Sequence, residues 1–480
     1  MFGTRTNILF LSALLFVCLS YVLGFFIIEL TGDSIEHINT SWLISTGLVP
    51  YRDFFQHHHP LLWYLMVPVV KVFEMYNNAH IITLYRAISV INTGICGFIL
   101  YKICKVYIKI PYVASLSVLL FLSSATTLIF SLVLRPDNFM LLFALWGFYV
   151  LLKYRQTQNI KYLYVCGLLF FISFMFLQKI IFLFMAIAVF VHEDIQHKKL
   201  KWMPFIKVAL FFMGFYIVFL WGLYEIRALS PYFYYNFLFN VQINASRYYL
   251  PDFQEWIYLI IGICSCIYVI NKGKNKNLVF ISKTAMLFFL ITLITGIPQS
   301  YYLILPFVLF IPAMAYTCFI LYKYSRHRYI KNLILLGSTC CVLCFPTYVI
   351  ACFYKNEETL SVAYFQYVLD NIPKGEVVFN GDINRISLFH KNVHPFRHNL
   401  TLNPLKSKDF NWGLSFDETR KIIKEKKPYL IIAFWPLKKE HPIEDTNSNA
   451  TFSLKLDEEI LEMYEKEPEF GFYIRKRSIR

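Results

Sequence analysis

The apolar stretch YLYVCGLLFFISFMFLQKIIFLFMAIAVFV, residues 162–191, decides how this chain folds. It is longer than the roughly 20 residues that cross a membrane as a helix, and only Gln178-Lys179 interrupts it. We therefore interpret it as two short helices joined by a turn that contains Lys179. Without this split every later loop would change sides, and the distribution of positive charge would lose its pattern.

Similar apolar runs fill the first 352 residues, and the whole chain is 57% hydrophobic and only 16% charged. Lipid offers no partners to backbone polar groups, so such runs fold as helices. We predict a mainly α, polytopic membrane protein of about eleven transmembrane helices, the first of them uncleaved. The runs lie near 8–28, 80–101, 112–134, 137–152, 162–178, 180–191, 204–224, 256–270, 280–296, 300–322 and 332–352.

Positive charge predicts the orientation of these helices. Most lysines and arginines of the membrane portion lie in one alternate set of loops, which the positive-inside rule assigns to the cytoplasm. We therefore expect a protein of the cytoplasmic membrane with its N-terminus in the cytoplasm and its C-terminal segment outside. The net charge of +16 reports this topology, so membrane lipids and not nucleic acids are the expected partners. The loops are 102–109, 153–161, 192–203, 271–283 and 323–331.

The C-terminal segment has a different character. Val377-Val378-Phe379, residues 429–434 and residues 470–475 resemble short strands, and a helix is predicted over Phe416–Lys426. This order favours a small extracytoplasmic α/β domain of normal size. We divide the chain into a membrane domain, 1–352, and a soluble domain, 353–480.

The first outer loop, 29–79, carries the densest group of polar residues. Its start is predicted to be an amphipathic helix at the membrane interface. In this helix Asp33 either caps the first turn or takes part in the chemistry of the site. The run His57-His58-His59 is costly at a membrane edge unless it is wet or paired. Two of these side chains, such as His57 and His59, could share a divalent metal ion.

Two further charged positions interrupt apolar sequence at predicted outer turns. Arg135-Pro136-Asp137 is either a surface turn with an ion pair of little value or a cation and a carboxylate directed into a cavity. Lys179 either extends to the interface or binds an anion.

A motif in the first outer loop resembles the start of the bacterial type-C glycosyltransferases, the enzymes related to protein O-mannosyltransferases and to the aminoarabinose transferase of lipid A. The resemblance covers about 1–352 and is strongest over 29–68. Arg135-Pro136-Asp137, Lys179 and Gln299-Ser300-Tyr301-Tyr302 are similar to later elements of that family. The motif comprises Gly32-Asp33, Trp42, Gly47, Pro50-Tyr51-Arg52-Asp53-Phe54-Phe55, His59-Pro60-Leu61, Tyr64 and Pro68.

This resemblance implies a glycosyltransferase that moves a hexosyl or pentosyl group, with inversion, from a polyprenyl-phosphate donor to an envelope lipid, polysaccharide or protein. Asp33 would be the general base and Asp137 the second acid. Many relatives have two adjacent acids where this chain has Asp33-Ser34, and the next acid here is Glu36. The resemblance assigns the donor phosphate to Lys179, Arg135 and Arg52, and supporting roles to Glu36, Asp53, His58, His59, Gln299, Tyr301 and Tyr302.

Two other functions remain open from the sequence. One is a transporter or flippase of lipid-linked glycans, a class that often shows inverted repeats and broken helices. The other is an O-antigen polymerase or ligase, whose motifs would lie in a long outer loop late in the chain. An Asp33→Asn variant separates the first from a transferase, because a transferase would lose turnover and still bind its donor.

Overall fold

A computed structural model describes the protein over residues 4–27, 32–241, 253–295, 303–354, 362–380, 387–393, 416–432, 458–466 and 473–476. The predicted site residues Gln299, Tyr301 and Tyr302 lie outside these ranges. The chain divides into two compact units built from separated segments. We call the first the membrane unit: Met1–Ile28, Arg86–Gly222 and Asn244–Glu357. The second is the mixed unit: Glu29–Tyr85, Leu223–Ile243 and Glu358–Arg480.

Helices make up most of the described residues, and a helix occupies each predicted apolar run. In chain order they are α1 Thr4–Ile27, α2 Gly32–Ser45, α3 Leu61–Met75, α4 Ile81–Ile103, α5 Pro111–Ser123, α6 Ala125–Ser131, α7 Pro136–Thr157, α8 Ile160–Phe176, α9 Ile181–Gln196, α10 Trp202–Glu225, α11 Leu229–Phe233, α12 Phe253–Lys272, α13 Lys276–Ile294, α14 Ile304–Tyr324, α15 Arg328–Tyr354, α16 Val362–Asn371, α17 Phe416–Lys426 and α18 Glu458–Met463.

Fewer of these helices than predicted meet the usual length and hydropathy of a membrane span. Within the described ranges there are seven, or eight if the bent pair α5 and α6 is one span. At 16 residues, α9 is about 24 Å long, which is less than a typical hydrocarbon core. The count of eleven spans therefore stays a prediction.

One predicted helix is interrupted in the structure. We predicted a single helix over 112–134, whereas α5 and α6 meet at an angle of 62°. The backbone is extended at Ser124, and the Ser124 side chain accepts a hydrogen bond from the Thr127 N–H. A serine that caps a new helix in this way competes with continuation of the preceding one.

The predicted split of residues 162–191 is confirmed. Helix α8 ends at Phe176, Leu177 is extended, and a single 3₁₀ turn over Gln178–Ile180 leads into α9. The predicted loops of one side also contact each other in the membrane unit. The Lys283 ammonium lies 2.6 Å from a Glu193 carboxylate oxygen, and Arg155 pairs with Asp194. These contacts join the ends of three loops that the charge count had grouped together.

The mixed unit contains a sheet of five short strands: β1 Val377–Asn380, β2 Lys391–Asn392, β3 Leu430–Ile432, β4 Tyr464–Lys466 and β5 Tyr473–Arg475. Their spatial order is β2-β1-β3-β5-β4. Strand β1 runs parallel to β2 and β3, and β5 runs antiparallel to β3 and β4. The predicted helix over Phe416–Lys426 is present as α17. Since this unit also includes Glu29–Tyr85, the predicted boundary between residues 352 and 353 stays a prediction.

Candidate functional site

Helix α2 carries the first candidate residue, Asp33. The helix buries Ile35, Ile38 and Trp42, which follow one another at helical spacing. Asp33 stands in its first turn and is partly exposed. A carboxylate in this position is stabilised by the helix dipole, and its exposure leaves it accessible to a substrate.

Glu36, in the same helix, is buried, with 3% of its surface exposed. The Gln56 amide donates to a Glu36 carboxylate oxygen at 3.1 Å and to the Thr40 hydroxyl at 2.5 Å. Burial raises the pKa of Glu36 to about 7, and the hydrogen bond from Gln56 opposes this shift. Glu36 is therefore an acid that exchanges its proton near neutral pH, whereas we had predicted only a supporting role on the face of Asp33.

Arg52 and Asp53 form an exposed pair with two hydrogen bonds, at 2.8 and 2.7 Å. The third guanidinium nitrogen of Arg52 donates to the Ile226 carbonyl at 3.1 Å. The hydrogen bond from Arg52 lowers the pKa of Asp53. Much of the positive charge of Arg52 is thus compensated locally by Asp53, and its role as a phosphate ligand stays a prediction.

The three histidines pack among aromatic rings of the mixed unit. The ring centroids of His57 and His58 are 4.0 Å apart, and His57 also stacks on Phe55. His59 is buried beside Tyr232, and burial lowers the pKa of His59 to about 3. It is therefore neutral at physiological pH. In the described part of the chain no group of three or more His, Cys, Asp or Glu side chains is placed to hold a metal ion.

Asp137 is the centre of a charged group in the membrane unit. Pro136 occupies the first position of α7, where a missing backbone N–H costs nothing, and so places Asp137 in the first turn. Its two carboxylate oxygens face different cations: Arg135 at 3.2 Å and Lys179 at 2.9 Å. Asp137 is 4% exposed. The three residues predicted at two separate turns are thus brought together.

This group borders a narrow cleft whose other walls are mainly apolar. Asp137 and Lys179 line the cleft, and Arg135 contacts the same Asp137 carboxylate, so two cations and one carboxylate lie at this end of it. A pocket of this composition suits an amphiphile with an anionic head, because the head meets the cations and the tail meets hydrocarbon. The cleft is lined by Asp137, Met140, Leu141, Lys179, Phe182, Phe288, Thr292, Ile304 and Leu305.

Sequence reasoning missed several residues that support these groups. Gln56 and Thr40 were not singled out, although Thr40 follows Glu36 at the helical spacing of four. His37, which accepts a hydrogen bond from the Trp63 indole at 3.0 Å, was also missed. Helix α3 was not predicted, although its apolar sequence LLWYLMVPVV signals it.

Comparisons with known proteins agree with this architecture. A family model described as dolichyl-phosphate-mannose-protein mannosyltransferase matches residues 57–221. ArnT from Cupriavidus metallidurans bound to undecaprenyl phosphate has a similar fold, with a TM-score of 0.54 and 12% identity over 90% of this chain and 93% of that chain. Its apo structure matches with a TM-score of 0.56 and 10% identity over 89% and 92%.

A search of the curated proteins finds no significant match. The family model and the shared fold nevertheless confirm the predicted resemblance to type-C membrane glycosyltransferases. They also agree with a multi-pass membrane protein, as the apolar helices require.

Proposed function

We propose that this protein is an inverting glycosyltransferase that uses a polyprenyl-phosphate-linked sugar on the outer face of the cytoplasmic membrane. The acceptor is an envelope lipid, polysaccharide or protein, and the transferred group is a hexose or a pentose. The family model for mannosyltransferases and the fold shared with ArnT support this class of reaction. The undecaprenyl phosphate bound to ArnT supports the choice of carrier lipid.

The observation that carries the proposal is the cationic end of an apolar cleft. Lys179 and Arg135 both approach Asp137, and the remaining walls are apolar except for Thr292. Cations placed there stabilise the negative charge that grows on a phosphate leaving group. In this proposal Lys179, Arg135 and Arg52 hold the donor phosphate, and Asp137 orients the first two of them.

Asp33 acts as the general base. An acceptor hydroxyl oxygen attacks the anomeric carbon while the bond from that carbon to the phosphate oxygen breaks, and the proton passes to the Asp33 carboxylate. The products are the glycosylated acceptor and the polyprenyl phosphate. Because a phosphate is a good leaving group, a strong general acid is not required. The buried Gln56 amide donates to both Glu36 and Thr40 and so fixes the Glu36 carboxyl group on the helix that carries Asp33.

One feature also fits a flippase for lipid-linked glycans. The bend of 62° between α5 and α6 is a broken helix of the kind that transporters use. Asp33→Asn distinguishes the two functions, because a flippase does not need a proton acceptor at this position.

The binding half of the proposal is tested with undecaprenyl phosphate and the purified protein in nanodiscs, observed by native mass spectrometry. We expect Lys179→Gln to weaken binding at least tenfold, since it removes a charge-assisted contact worth about 1.5–3 kcal/mol. Lys179→Arg should keep most of the affinity, and Asp33→Asn should keep all of it. Equal binding by Lys179→Gln and the wild type would remove the cleft from the mechanism.

A further inference from the structure

Asn39 connects α2 to a distant part of the mixed unit. Its side-chain amide donates to the carbonyls of Ser387, Leu388 and His390, at 3.0, 3.2 and 3.3 Å. The turn that offers these carbonyls is itself buried, and the Ser387 hydroxyl and the His390 ring lie 2.7 Å apart within it. A single amide thus joins the helix of Asp33 to a fixed segment of the C-terminal part of the chain.

A second contact joins the same two parts of the unit. Gln366 of α16 accepts a hydrogen bond from the Ala79 N–H at 2.9 Å and donates to the Asn77 carbonyl at 3.0 Å. Asn77 in turn donates to the Leu369 carbonyl at 3.0 Å. The first loop is therefore held to the C-terminal part at two separate points, Asn39 and Asn77.

The geometry points to Asn39 as a positioning residue: we propose that it fixes α2, and with it Asp33, against the turn 387–390. This inference rests on the proposed function. An isolated helix of 14 residues is marginal in water, so its placement depends on contacts such as these. Asn39 follows Asp33 by six residues, or about 9 Å along the helix axis. The C-terminal segment would thus serve catalysis by orienting the base without contacting the substrate.

The same contacts bear on the sequon Asn39-Thr40-Ser41. An amide nitrogen has two protons to donate, and that of Asn39 is directed at backbone carbonyls inside the unit. The side-chain amide of Asn39 is therefore used for hydrogen bonds inside the protein, and we do not expect a glycan to be attached to it.

The test compares three substitutions that differ in hydrogen bonding. Asn39→Asp has the same shape and presents an acceptor to three carbonyls, Asn39→Ala removes the donor, and Asn39→Ser keeps a shorter one. In cells that lack the gene, each variant is induced and the initial rate at which the sugar appears on the envelope acceptor is followed by mass spectrometry. We expect loss of about tenfold for Asn39→Ala, a larger loss for Asn39→Asp and a smaller one for Asn39→Ser, since small displacements of a catalytic group are costly.

Binding of undecaprenyl phosphate to the purified variants should stay within about twofold of the wild type, because the lipid-binding cations are unchanged. Asn371→Ala is the matched control: Asn371 is exposed and donates within its own helix α16, to the Tyr367 carbonyl. It should transfer at the wild-type rate.

Three results would overturn the inference. They are wild-type transfer by Asn39→Asp, a loss of transfer accompanied by an equal loss of lipid binding, or Asn39→Ala being slower than Asn39→Asp. If Asn39→Asp does not accumulate, the order of Asn39→Ser and Asn39→Ala decides the matter. An active Asp33→Asn enzyme would instead contradict the proposed function, whatever Asn39 does.

Discussion

At the scale of single residues, the charge balance around Asp137 makes an unusual prediction. Asp137→Asn removes the carboxylate that two cations share, so their charge becomes available to a phosphate. We expect undecaprenyl phosphate to bind several-fold more tightly to this variant, although buried cations that lose their partner cost about 3–5 kcal/mol of stability. Native mass spectrometry and thermal unfolding in detergent measure the two effects. Weaker lipid binding together with unchanged stability would contradict this electrostatic interpretation.

Glu36 predicts a dependence of stability on pH. Its pKa of about 7 lies above the ordinary value of 4.5, so its contribution to stability is fully present below about pH 4.5 and is lost as the pH rises through 7. The loss should be on the order of 3 kcal/mol. Melting temperatures between pH 4.5 and 8 should fall more steeply for the wild type than for Glu36→Gln. Parallel curves for the two proteins would show that Glu36 does not titrate in this range.

The sequence revealed charged site residues more readily than neutral ones. Asp137 and Lys179 are isolated charges in apolar surroundings, so the sequence singled out both, whereas the ion pair between them is visible only in the structure. Asn39 and Gln56 are neutral amides of ordinary type. The partner of Asn39 lies 348 residues away, and no local pattern can report such a contact.

At the scale of secondary structure, periodicity and length located the helices. The apolar stretch 162–191 was correctly divided into two helices because Lys179 is too costly for the centre of a span. The bend at Ser124 was missed because Ser123-Ser124 are small residues that a hydropathy pattern tolerates. Only the hydrogen bond between Ser124 and Thr127 reveals that a new helix begins there.

An ion pair between two of these helices allows a charge exchange. Lys283 of α13 pairs with Glu193 of α9, and both side chains are partly exposed. We expect Lys283→Glu to lower the free energy of unfolding by up to about 1 kcal/mol, and Glu193→Lys in the same protein to restore it. Thermal unfolding in detergent measures both. A double variant less stable than either single variant would show that these two side chains do not meet.

At the scale of the whole molecule, the orientation in the membrane follows from charge alone and can be tested directly. His80 and Asn271 are both exposed. His80 follows the first outer loop directly, and Asn271 belongs to the predicted cytoplasmic loop 271–283. In intact cells a membrane-impermeant maleimide should label His80→Cys, whereas Asn271→Cys should react only after permeabilisation. The unsubstituted protein is the control, because any labelling of it comes from the native cysteines. The opposite pattern would place the first loop in the cytoplasm. Asp33 would then lie on the wrong side of the membrane for the proposed reaction, which takes place on the outer face.

The most direct test of the account is mass spectrometry of envelope glycans from cells without the gene, complemented with the wild type, with Asp33→Asn or with the exposed-acid control Glu425→Gln. We predict that one sugar modification disappears with the gene, returns with the wild type and with Glu425→Gln, and stays absent with Asp33→Asn at equal protein level. A modification fully restored by Asp33→Asn, or a glycan profile that is identical with and without the gene, would contradict the assignment of a sugar-transfer reaction to this carboxylate.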